Sequence, residues 1–150
     1  MIFATVNKIP GFILDKLGLL FKLLKERKKE YELFADKLKD KQLSRSVLSL
    51  AQETNQYAVE LCGQIQIMGG KAIAGEEDAA GTESLLQITP EEEEILASCE
   101  VSEKKMIVAY REILNEPYLH ENLRKLIRCQ LNGLTYAFMQ IKLLKTSFHR

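Results

Sequence analysis

Glu53, Glu100 and Glu103 are the residues whose type and spacing come nearest to chemistry. Glu53 stands in Gln52-Glu53-Thr54-Asn55-Gln56, and the other two in Cys99-Glu100-Val101-Ser102-Glu103. Side chains three apart on a helix share a face. Carboxylates converging from two helices are what a hard cation such as iron or manganese requires. A single-metal site built from these three is therefore one reading. The imidazoles give it little help: His120 and His149 fall near opposite ends of the last apolar-periodic stretch.

Other chemistries have less to work with. Gly69-Gly70 closes a helical pattern and opens no phosphate-cradling loop. Ser44, Ser46 and Ser49 have no histidine nearby to activate them. Cys62, Cys99 and Cys129 stand singly, without a CxxC pair, as small thiols in a reducing compartment do. Lys25-Glu26-Arg27-Lys28-Lys29 is the one dense basic run and reads as a solvated helix face. The acidic run Glu91 to Glu94 is explained by a helix start, where the dipole favours negative charge.

Lys+Arg and Asp+Glu are both 21, so no net charge draws the chain to nucleic acid or an anionic membrane. Basic and aromatic residues do not interleave on one face, which argues further against nucleic acid. Asp15, Lys16 and Lys22 interrupt the early apolar run, and no basic region or cleavage site precedes it. The expectation is a cytoplasmic protein. Peripheral membrane attachment through Ile2, Phe3, Val6, Ile9, Phe12 and Ile13 is a minor alternative. A chain of 150 residues, 46% of them hydrophobic, suits one domain over residues 1–150 with one core.

The elements that must position these residues are helices. Leu43, Val47, Leu50, Thr54, Tyr57, Leu61, Ile65 and Met68 recur every three or four residues, the period of a helix with one buried seam. Asp40 caps its start and Gly69-Gly70 ends it. The same pattern appears three more times. Helix one runs from about Pro10 to Lys39 with seam Ile13, Leu17, Leu20, Leu24, Tyr31, Ala35 and Leu38. Helix three opens at Thr89-Pro90-Glu91-Glu92, a capping box with proline at the first position, and runs to about Asn115. Its seam is Leu96, Cys99, Glu103, Met106, Tyr110 and Ile113. Helix four follows Pro117 to about Ser147, with seam Leu119, Leu123, Leu126, Gln130, Leu134, Ala137, Ile141, Leu144 and Phe148. Lys71 to Ile88 has no sustained period. It is expected to run the length of the bundle as one long crossover, with a short helical turn at Glu83 to Gln87.

Each seam is apolar except near its middle. Helix one offers Arg27 or Lys28 there, helix two Thr54, helix three Glu103 and helix four Gln130. Counting from the connections places Lys28, Thr54, Glu103 and Gln130 in one polar layer. A buried carboxylate needs a partner, so Glu103 should meet Gln130, the helix-one cation or a metal.

The mid-bundle polar layer and long crossover resemble the ferritin-like superfamily, and within it a bacterial family of conserved proteins of unknown function. The likeness covers roughly residues 20 to 145. It rests on Gln52 to Leu61 followed by Gly69-Gly70, on Cys99 to Glu103 followed by Ala109-Tyr110, and on Gln130 before the final apolar run. Metal-binding ferritin-like proteins place a Glu on each of two helices and Glu-x-x-His on the other two. Here Glu53-x-x-Gln56 lacks the imidazole, Gln130-x-x-Gly133 lacks both ligands, and helix one brings a cation. The resemblance thus implies an all-α four-helix bundle with a degenerate metal site and no cofactor. Such a bundle acts as an interaction or structural protein, through a homodimer or protein partner, more readily than as an enzyme. The alternative is an iron- or manganese-binding oxidoreductase or metal store.

Overall fold

The computed structural model describes residues 11–70 and 91–148. The described residues form four α-helices: α1 (Gly11–Lys37), α2 (Lys41–Ile67), α3 (Glu92–Leu114) and α4 (Glu121–Phe148). Asp40 caps α2 as its sequence position suggests, its carboxylate accepting from the Leu43 N–H at 3.0 Å. Gly69 ends the same helix at φ +86°, a backbone that L side chains rarely adopt. Glu91 is the residue before α3, and its side chain makes no cap bond. The capping residues expected at Thr89 and Pro90 lie outside the described residues, as do Pro10, the segment Lys71 to Ile88 and the first nine residues.

α1 packs on α2 and α3, and α4 packs on the same two, so α1 faces α4 and α2 faces α3 across the diagonals. The cross-links fix direction. Ser44 Oγ donates to the Ala35 carbonyl near one end of α1 and α2, and Lys25 Nζ meets Asn55 Oδ1 further along. α1 and α2 therefore run antiparallel. Lys39 N–H donates to Glu92 Oε1 at that same end, while Lys16 pairs with Glu116 at 2.7 Å at the other. α3 is thus antiparallel to α1, and α2 and α3 point the same way.

The four stripes meet in one core. Every residue of the expected helix-one seam from Ile13 to Leu38 is buried, and every member of the helix-three seam. In α2, Tyr57 and Met68 sit at the margin of the core, while Ala51 and Ala58 join it. The α4 seam is rotated slightly from expectation. Ile127 and Phe138 are buried where Leu126 and Ala137 were expected, and those two pack only partly against the core. Phe138 offers the core more apolar surface than Ala137, and each step of one position turns the helix by about 100°.

The connection from α3 to α4 is longer than expected. α4 begins at Glu121, and Arg124 bends back to donate to the carbonyls of Leu114 and Glu116. Leu119 is already buried ahead of the helix. The added residues shift α4 along α3, with consequences for the polar groups.

Candidate functional site

Gln130 is the polar centre of the bundle and is 1% exposed. Its Oε1 accepts from Tyr110 Oη at 2.9 Å. Its Nε2 donates to the Tyr57 carbonyl at 3.2 Å and to Glu60 Oε1 at 3.1 Å. One amide from α4 thus ties α2 to α3 across the diagonal. Both ends of the amide are satisfied, which a buried polar group requires. Tyr110 is fully buried, and that burial, with Tyr57, Glu60 and Glu53 nearby, pushes its phenol far above the usual range. It acts as a neutral donor.

Beside this centre Tyr57 donates to Glu53 Oε2, one turn back on α2. Burial raises the Tyr57 phenol, and the hydrogen bond to Glu53 raises it further. The pair lies against the α4 backbone at Gly133. A Cβ there would come within 1.9 Å of the Tyr57 hydroxyl and 2.8 Å of the Glu53 carboxylate. Gly133 is the gap that seats the pair. The sequence signal was present in Gln130-x-x-Gly133, where glycine stands in a helix that otherwise favours bulk.

A second polar cluster lies nearer the other end. Tyr31 Oη bonds Ser102 Oγ and lies 3.4 Å from Met106 Sδ, and its ring meets Phe138 edge-on at 6.1 Å. Burial pushes the Cys99 thiol up to about 12, with Glu30 and Glu100 adding to it, so this thiol is inert. Outside the cluster, an open cleft of about 260 Å³ between α1 and α3 is lined by Arg27, Glu30, Ser98, Ser102 and Lys105 among others. Glu30 is buried, which raises its carboxyl, while Arg27 and Lys105 pull it back in part. Arg27 Nη1 holds Glu30 Oε1 at 3.1 Å. The cleft falls below the roughly 300–1,000 Å³ of ordinary ligand pockets, and its buried acid is already paired.

The expected four-residue layer is dispersed. Thr54 is buried but donates to the Leu50 carbonyl of its own helix at 2.7 Å. Lys28 pairs with Glu32 on the same helix at 3.4 Å, and Arg27 is the cation whose Nε is buried. Glu103 is buried, but its partner is Lys142 of α4 at 2.8 Å, not Gln130 or a helix-one cation. The shifted α3–α4 connection is the reason. It brings Gln130 level with Tyr110, which leaves Glu103 about 10 Å away at 1.5 Å per residue. Lys142 reaches Glu103 from a half-exposed position. Lys145 takes Glu100 in the same way at 2.9 Å, and that contact lowers the Glu100 carboxyl.

These placements test the metal reading. Glu53 is engaged by Tyr57 on one diagonal helix, and Glu100 and Glu103 by lysines on the other. Among the described residues no group of three or more His, Cys, Asp or Glu side chains is placed to hold a metal ion. A di-iron centre needs carboxylates and imidazoles converging without cations between them. Two ammonium groups occupy Glu100 and Glu103, and the Gln130 amide is taken up by Tyr110, Tyr57 and Glu60. The donor set does not fit that centre. Among the described residues no helix is long and apolar enough to cross a membrane. No protein-family model matches the chain, and no curated protein matches it either.

Proposed function

We propose that the protein is a ferritin-like four-helix bundle that acts through its surface, as an interaction or structural protein, without catalysis and without a di-iron centre. The observation that carries this is the Gln130 amide. It occupies the bundle centre and is saturated by Tyr110, Tyr57 and Glu60. A centre closed in this way has no unpaired group to offer a substrate or an ion.

The ferritin-like topology is part of the same reading. α2 and α3 begin at one end of the bundle, where the Lys39 N–H meets Glu92, and this shared direction supports the reading of a single long crossover between them. Three free thiols, with Cys99 buried, Cys62 partly buried against the core and Cys129 exposed, fit a cytoplasmic setting.

Protein grown with added iron and purified without chelator tests the proposal. The expected result is well under one iron or manganese per chain and no ferroxidase activity. Iron near two per chain, lost on Glu103→Ala or Glu53→Ala, would replace it with the metal-dependent oxidoreductase or metal store.

A further inference from the structure

The cleft between α1 and α3 has a mixed lining. Arg27 and Glu30 come from α1, and Ala97, Ser98, Val101 and Lys105 from α3. Among the described residues Arg27 makes one side-chain hydrogen bond, from Nη1 to Glu30 Oε1 at 3.1 Å. Its Nε is buried without an acceptor. The Nε–Nη2 edge of a guanidinium is a fork that takes two carboxylate oxygens in parallel. That edge is unmet at the wall of a cleft, and a charged donor held out of water is costly to leave so. Lys105 acts on the Glu30 carboxyl from the facing helix, yet it forms no salt bridge among the described residues.

We infer that this cleft binds a small monocarboxylate, its oxygens on Arg27 and Lys105 and its short alkyl chain against Ala97 and Val101. The inference goes beyond the surface-acting reading above and does not depend on it. Charge sets the class. Arg27 and Lys105 against Glu30 leave one positive charge on the walls, which a single negative charge balances. A phosphate dianion would overshoot that balance beside Glu30. Glu26 also acts on Glu30, from the same helix, but does not line the cleft.

Size sets the chain length. About 260 Å³ is below the range of drug-sized ligands and suits an acid with a short chain. Ala97 and Val101 are exposed and give that chain an apolar wall, while Ser98 adds a hydroxyl. Binding asks a small turn of the Arg27 side chain toward the cleft, which among the described residues is tethered through Nη1.

Proton–nitrogen correlation spectra of the full chain test this, with sodium butyrate titrated against sodium chloride at matched ionic strength. Butyrate should shift the amides of Ser98, Val101 and Ser102 saturably, and chloride should not. Lys105 is exposed, so Lys105→Gln keeps the fold, and it should weaken binding by roughly tenfold. Glu30→Gln removes the opposing charge and should tighten binding. Circular dichroism of each variant checks the fold. No saturable shift with butyrate or acetate overturns the inference. So does binding that Lys105→Gln leaves unchanged or that Glu30→Gln weakens. Inorganic phosphate that displaces butyrate at equal concentration overturns it in favour of a general anion patch.

Discussion

Tyr110 on α3 and Gln130 on α4 meet at 2.9 Å with both side chains buried, so the phenol is the donor that satisfies the amide oxygen. Tyr110→Phe keeps the ring and removes that donor, leaving Gln130 Oε1 unpaired. Urea denaturation should register a loss of about 1–2 kcal/mol. In a double-mutant cycle with Gln130→Leu the pair should show coupling of about 1 kcal/mol. Strict additivity would mean that the two residues do not act as a unit.

Gly133 gives a prediction of opposite sign in two backgrounds. Alanine is favoured over glycine in a helix by about 1 kcal/mol. In the parent chain the new Cβ collides with the Tyr57 hydroxyl and displaces it from Glu53. Gly133→Ala should therefore destabilise the parent chain and stabilise the Tyr57→Ala variant. Thermal melts of the four proteins measure this. Stabilisation in both backgrounds would show that the seat is not needed.

The seams of α1 and α3 were legible because their helices carry a strict period and one clear stripe. The hairpin directions followed from short connections at Lys39-Asp40 and near Pro117. What sequence could not supply was register between helices. Placing the α3–α4 turn at Pro117 put Glu103 beside Gln130, but the chain continues to Glu121 before α4 starts, and the pairing moves to Tyr110. Buried polar residues at Thr54, Glu103 and Gln130 were found from their seam positions. Their partners were not, because partners depend on sliding of a few ångströms that periodicity leaves free. Gly133 was visible only as a missing ligand, and its role as a gap needed the Tyr57 side chain in place.

Glu103 should matter less than a buried acid with a buried partner would. Its ion pair is with Lys142, whose side chain is 51% exposed and can return to water when the acid is lost. Glu103→Ala should cost about 1 kcal/mol, the range of a part-exposed pair, and Glu103→Leu should recover much of that through packing. A loss several times larger for both variants, read by urea denaturation, would mean that Glu103 has a second buried partner.

Glu30 carries the pH dependence that can be assigned. Burial raises its carboxyl above the ordinary 4.5, against the opposing pull of Arg27 and Lys105 and with support from Glu26. The native chain therefore holds this proton more tightly than the unfolded chain. That contribution to stability is complete below 4.5 and is lost as pH rises through the raised value. Glu30→Gln stays neutral and lacks the loss. Paired denaturation curves across pH cancel the remaining groups. The difference should move in favour of Glu30→Gln as pH rises past 4.5. A flat difference, or one moving in favour of the parent, contradicts the assignment.

The centre formed by Gln130, Tyr110, Tyr57 and Glu60 is held to be complete without an ion. Any ligand that binds the native state and not the unfolded one raises the melting temperature. The direct measurement is thermal unfolding of the full chain with excess ferrous or manganous ion and, separately, with chelator. The same melting temperature is expected without additions, with metal ion and with chelator. A rise with metal that chelator reverses, and that disappears in Glu53→Ala or Glu103→Ala, would contradict it.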